Sequence, residues 1–417
     1  MPKDAIIFTM TKKQYGLLSL PVIVAALGFY VDIFDLLLFG VIRKTSLHDI
    51  GLNTEQILSK GELIVSIQLI GMVIGGIIWG IIGDKFGRLK VLFGSILLYS
   101  AANFANGFVH DLNWYIVIRF IAGVGLAGEL GAGITLVSEI LPKEKRGLAG
   151  TIIATCGVLG GISAALLSKV ITDWRTLYFI GGGIGIVLLA LRVSVKESDM
   201  FATLEKSKVQ RGNYLQFFNN KERFFKYAKG MLIGMPVWYC IGILVFFADE
   251  FAKKMGISGI TPGNAILFQY IGLGFGDVAA GLISHKLKSR KKALYIFYAV
   301  FTLFIILFFT QHNSSPEWFY FICAGLGFGS GISVLYIIAS AEQFGTNLRA
   351  SAASSITNFV RGFTPLLLLI FNYLRDYKNI GYLKGGWMIG IAVMLISLSA
   401  LYFTKETFGK DLDFVEE

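Results

Sequence analysis

Proline is scarce in this chain, 7 in 417 residues, and so are cysteine (3), histidine (4) and charge, at 16% of residues. Few prolines leave long helices uninterrupted, because an interior proline removes a backbone hydrogen bond and kinks the axis. Cys156, Cys240 and Cys323 stand alone in apolar stretches with no paired spacing, so they define neither a disulfide framework nor a metal site. His48, His110, His285 and His312 fall in predicted loops or helix ends. No constellation of nucleophile, base and acid is visible, which argues against an enzyme, and no cofactor or metal is expected. A cleavable leader is also missing: Lys12 and Lys13 precede the first apolar run, but that run continues to about residue 42 and reads as a retained span.

What the chain does have is apolar bulk. Hydrophobic residues make up 55%, aromatics 14%, and the mean hydropathy is +0.67, too high for a soluble protein of this length. The 49 glycines suit helices packed closely through small residues. Windows of spanning length fall at about 15–42, 61–82, 90–109, 114–140, 147–170, 176–194, 229–249, 264–284, 293–310, 317–340, 352–374 and 383–403, which predicts an all-α polytopic membrane protein of twelve transmembrane helices. The net charge of +11 does not require a nucleic-acid partner, because the basic residues sit in alternate loops: Lys85, Arg88 and Lys90, then Lys143, Lys145 and Arg146, then Lys286 to Lys292. The loops 107–113 and 311–317 carry no Lys or Arg. The positive-inside rule places both termini in the cytoplasm. We expect a monomer in the lipid bilayer of a bacterial inner membrane.

The polar stretch 196–228 divides the chain into an N-terminal bundle (1–195) and a C-terminal bundle (229–404), with a tail at 405–417. The halves echo one another: Glu139 and Arg146 recur as Glu342 and Arg349, and Gly80 to Lys90 has a worn counterpart in Gly281 to Lys292. Two facing parallel halves are the layout of an alternating-access carrier. In the first window, Asp32 and Asp35 interrupt an apolar run and share one helix face, roughly 4.5 Å apart along the axis. An acid at mid-membrane carries an insertion penalty of about 2.5–3.5 kcal/mol, so the pair points to a polar cavity, or else to positions wetted from outside.

Gly80-Ile-Ile-Gly-Asp84-Lys85-Phe-Gly87-Arg88-Leu-Lys90 resembles the loop motif of the major facilitator superfamily, departing from it in Leu89. Arg119-Phe-Ile-Ala-Gly123-Val-Gly125-Leu-Ala-Gly128-Glu129 resembles the fourth-helix motif of its proton-coupled members. Pro142 to Gly147, Trp174-Arg175, Glu342 to Arg349, Arg361 to Pro365 and the tail from Glu406 are similar to the metabolite:proton symporter branch, with its proline/betaine, organic-ion and sugar porters. The resemblance implies two pseudo-symmetric six-helix bundles. It also implies a conformational latch at Gly80, Asp84, Gly87, Arg88, Glu139, Arg146, Glu342 and Arg349, and a protonation couple whose matching residues are Asp35 and Arg119.

Arg119 and Glu129 lie ten residues apart, about 15 Å along a helix, too far to pair with each other. Their counterparts in the second half are Ile322 and Ile332, which favours a functional role for the charges over a scaffolding one. We therefore assign Asp32, Asp35, Arg119 and Glu129 to proton coupling, the alternative for Asp35–Arg119 being a static pair between helices. Arg361, with Asn358 one turn before it, is suited to hold a carboxylate, unless it pairs with Asp277 or another buried acid. Gln68, Trp238, Tyr239, Gln269 and Tyr336 could line the cavity or serve helix packing. The function expected is proton-driven uptake of a small polar organic solute, with an amino acid or betaine first and a carboxylate metabolite second. The alternative is export by proton antiport: Cys156-Gly157-Val-Leu-Gly160-Gly161 is similar to the antiporter motif but has Gly157 where that motif has proline.

Overall fold

The structure is a computed structural model that describes residues 16–141, 143–193, 214–345, 348–377 and 380–409. The side chains of Asp84, Glu139, Arg146 and Arg349, the first part of the 196–228 segment and the last eight residues lie outside the described residues. The described chain crosses twelve times, through helices with no strand among them. The spans, numbered in chain order, are Leu20–Asp49, Thr54–Phe86, Arg88–Gly107, Leu112–Ile140, Lys143–Val170, Trp174–Arg192, Lys221–Lys254, Pro262–Leu287, Arg290–Thr310, Pro316–Ala341, Arg349–Tyr377 and Tyr382–Tyr402. Ten stretches are long and apolar enough to cross a bilayer. Large apolar side chains such as Leu97, Phe275, Leu282, Leu369 and Leu395 lie more than half exposed on the outside, a surface that suits lipid.

Four spans are less regular than their apolar windows predict, the eleventh among them, with Pro365 inside it and a π turn at Tyr373–Tyr377. The fourth breaks between Leu126 and Glu129, and the tenth breaks between Gly329 and Ile332, at matching glycine-rich steps. The seventh contains Pro236 and relaxes into a π turn at Cys240–Val245. Helix ends also run beyond the apolar windows. Asn53 and Gln56 form a reciprocal capping box that starts the second span at Thr54, ahead of the window at 61.

Backbone-to-backbone approach builds the two halves in the same way. A Cβ at Gly71 would stand 2.4 Å from the Phe120 carbonyl oxygen, at Gly75 2.4 Å from that of Val124, and at Gly123 2.1 Å from that of Gln68. The second and fourth spans therefore meet where only glycine fits. In the second half, Gly272 and Gly276 press on the carbonyls of Ala324 and Phe328, and Gly327 on that of Gln269. Across the seam between halves, Gly161 packs against Tyr270, Gly274 against Val158, Gly76 against Asn358 and Gly362 against Val73. The turn between the second and third spans passes through Gly87 at φ +101°, and its counterpart is Lys288 at φ +48°.

Candidate functional site

Each of the two first-span acids meets an arginine. Asp35 and Arg119 are both fully buried, with Nη1 at 3.3 and 3.5 Å from the two carboxylate oxygens and Nη2 at 3.3 Å from the Asp35 carbonyl. The guanidinium lies 5.4 Å over the Tyr178 ring, whose hydroxyl is 2.9 Å from that of Tyr115. This pair ties the first span to the fourth within one half. Asp32 does the opposite: its Oδ2 accepts from Arg361 Nη2 at 3.1 Å, across the seam between halves. Arg361 lies 5.7 Å over the Trp238 ring. One carboxylate oxygen of Asp32 and Nε of Arg361 have no partner in the protein. Part of the desolvation of this buried ion pair is therefore not compensated within the protein.

Asn358 bridges the same seam one turn away, donating to the Ala127 carbonyl at 3.1 Å and to the Ser354 carbonyl at 3.2 Å, while its Oδ1 is unpartnered. Gln68 and Gln269 are buried at matching positions of the two halves, and Nε2 of Gln68 and both amide atoms of Gln269 lack a protein partner. Tyr336 packs on Gly234 in the seventh span. Tyr239 points elsewhere: its hydroxyl donates to the Gly386 carbonyl at 2.7 Å and fastens the seventh span to the twelfth. Asp277 accepts from Ser333 at 2.7 Å, and it is Asp32 that Arg361 meets.

Glu129 stands apart from both pairs. Its two oxygens take Arg192 Nη1 at 3.0 Å and Nη2 at 2.5 Å, and Ser95 donates to it at 2.6 Å. Arg192 Nη1 also reaches the Leu92 carbonyl. Arg192, wholly buried near the end of the sixth span, is a charge that sequence reasoning passed over. It lies inside the 176–194 apolar window, and an arginine there was itself the signal.

Two ends frame this centre. At the end away from the basic loops, Asp249 accepts from Arg43 at 3.2 Å and pairs with Lys44, and Arg43 sits 4.4 Å over Phe247. Nearby, Glu62 accepts from Asn372 and Arg375, both at 2.8 Å. All of these contacts join one half to the other. They lie about 16 Å from Asp32 along the first span. At the basic end a cleft is lined by Trp79, Gly80, Gly83, Gly131, Ser351 and Ser354. Of the expected latch residues, Gly80 lines that cleft and Gly87 makes the turn. Arg88 Nη1 donates to the Gly83 carbonyl at 3.3 Å, and Glu342 accepts from Arg290 at 3.2 Å and Thr407 at 2.7 Å.

The comparisons agree with this architecture. The family model described as Major Facilitator Superfamily matches residues 17–369. A candidate metabolite transport protein of Haemophilus influenzae is 26% identical over 97% of this chain and 100% of its own length. A candidate niacin/nicotinamide transporter of Bacillus subtilis is 26% identical over 94% and 96%, and a sialic acid transporter of Escherichia coli is 24% identical over 90% of each. Among solved structures, the proton:xylose symporter XylE superposes with a TM-score of 0.72 at 17% identity, covering 94% of this chain and 97% of that one. The chain is a multi-pass membrane transporter and belongs to the major facilitator superfamily.

Proposed function

We propose that this protein is a proton-coupled symporter taking up a small organic carboxylate, and that proton and substrate exchange at the Asp32–Arg361 pair. The observation that carries this reading is the pair itself, an acid of one half and a base of the other, buried and 3.1 Å apart. Rocking the halves separates them, and an unpaired buried charge costs about 3–5 kcal/mol. A proton on Asp32 removes that penalty for the acid. A substrate carboxylate on Arg361 removes it for the base, with two parallel hydrogen bonds available. The halves then move only when both have bound or both have left, which is symport. Asp35–Arg119 is a second pair available for protonation.

The relative named for sialic acid supports a carboxylate, and so does niacin in the name of the niacin/nicotinamide relative, since both of those molecules carry one. XylE, described as a proton symporter, supports coupling to protons. An amino acid or betaine has less in its favour, because the central acids that would have to hold an ammonium are engaged, Asp32 by Arg361 and Glu129 by Arg192. Trp238 beside Arg361 offers a flat ring a stacking surface. The basic loops support cytoplasmic termini and a bacterial inner-membrane location, and we take the working unit to be the monomer.

The test is uptake of nicotinate into proteoliposomes that contain a pH dye. Symport predicts nicotinate accumulation driven by an outside-acid gradient, with internal acidification on substrate addition. Asp32→Asn is expected to abolish gradient-driven accumulation. Accumulation that persists after the gradient is collapsed would exclude the coupling.

A further inference from the structure

The third span carries a polar stripe that meets the ion pairs only through Ser95. Ser95, Tyr99, Asn103 and Asn106 recur at spacings of four, four and three, so they share one helix face over about 16 Å. Asn103 and Asn106 are wholly buried, and all four of their amide atoms lack a protein partner. Buried polar groups are almost always satisfied, and where protein does not satisfy them, internal water does. Only glycine keeps the sixth span clear of these groups: a Cβ at Gly185 would stand 2.1 Å from the Ser100 hydroxyl and 2.4 Å from that of Tyr99, and one at Gly181 would meet the Asn103 amide at 3.4 Å.

One end of the stripe meets the Glu129–Arg192 pair, and its middle lies beside the turn of the first span that carries Asp35. At one end Ser95 donates to Glu129, which Arg192 holds. Further along, Asn103 and Phe34, the residue preceding Asp35, both pack against Gly181, while Arg119 caps the Tyr178 ring one turn away on the sixth span. Tyr99, midway, lies within electrostatic reach of both Glu129 and Asp35. Gly128, which precedes Glu129, lines the cleft at the basic end.

We propose that this stripe is a hydrated path that conducts a proton from the second protonation pair, at Asp35, to Glu129, inside one half of the carrier. The proposal rests on the symport reading and adds to it a route of release. The Asp35 O–H bond breaks and its proton passes to a water. Each water gives one proton and takes another, and the last hands its proton to a Glu129 oxygen, loosening the bond from Arg192. Arg119 keeps the Asp35 carboxylate, and Glu129 passes the proton to the cleft. The third, fourth and sixth spans belong to the same half, so the path is not cut when the halves rock. The charged and titratable groups facing it are Asp35, Arg119, Tyr178, Glu129 and Arg192.

Asn103→Leu and Asn106→Leu keep side-chain size and remove the polar atoms. In proteoliposomes, gradient-driven nicotinate uptake is expected to fall about a hundredfold, the low end of what positioned proton transfer contributes. Nicotinate exchange at equal pH, which needs no net proton movement, is expected to persist, and Asn103→Ser to restore uptake. Wild-type uptake in both Leu variants, or an equal fall of uptake and exchange, would overturn the path. Should the variants fail to fold, radiolytic labelling of the wild type in 18O-water decides hydration: label on Tyr99 supports the path, and an unlabelled Tyr99 overturns it. A wild type that exchanges nicotinate without moving protons would instead defeat the symport reading.

Discussion

Arg192 shows what a single buried charge does here. Among the groups around Glu129 it supplies two of the three hydrogen bonds to the carboxylate, with no exposed surface of its own. Replacing it strands Glu129 in the bundle, so Arg192→Leu is expected to lose about 3–5 kcal/mol of stability, and Glu129→Leu in the same chain to restore most of it. Thermal unfolding of the purified variants checks this, and equal damage from the single and double variants would contradict it. The individual acids were legible because a carboxylate in an apolar run is conspicuous. The Asp35–Arg119 pair was expected from the family resemblance, but the partners of Asp32 and Glu129 were not legible, because pairing depends on which helix faces which: Arg361 could meet Asp277 or another buried acid until the eleventh span is placed beside the first.

The helices and their order were readable from apolar windows alone, while their ends and breaks were not. The fourth and tenth spans break where glycines let the chain bend without losing apolar character, so hydropathy runs straight through the step. The tail after the twelfth span shows another limit of pattern reading. Burial raises the carboxyl pKa of Glu406, but the Ser289 hydroxyl and the backbone amides of Phe408, Arg290 and Lys291 all donate to it and bring the pKa down to about 2. Glu406 thus caps the start of the ninth span from a distant part of the chain. A folded pKa below the unfolded value of 4.5 gives stability that is present above pH 4.5 and fades as pH falls towards 2. The melting temperature of Glu406→Gln is therefore expected to lie below wild type at pH 7, with the gap closing as pH drops from 5 to 3. A gap independent of pH would rule this out.

Taken together, the two halves are tied by charge at the end away from the basic loops and by the Asp32–Arg361 pair at the centre. Glu62 and Asp249 accept from the opposite half and have little exposure. Losing such partners costs about 3–5 kcal/mol, comparable to the gap between the two conformations of a carrier. Glu62→Gln with Asp249→Asn is therefore expected to open that end, read as a longer distance between spin labels on Asn53 and Lys384. An unchanged distance would remove these residues from the closure. The two-lobed plan was legible from the internal repeat; the closure was not, since Arg43, Glu62 and Arg375 each look like ordinary charges at a helix end. The most direct test of the central claim is nicotinate affinity between pH 6 and 9, measured by calorimetry on wild type and Asp32→Asn. If a proton on Asp32 frees Arg361 for the substrate, wild-type Kd rises about tenfold per pH unit once that site is deprotonated, and the variant's Kd stays flat. A wild-type Kd that is flat over this range, or the same slope in both proteins, would contradict it.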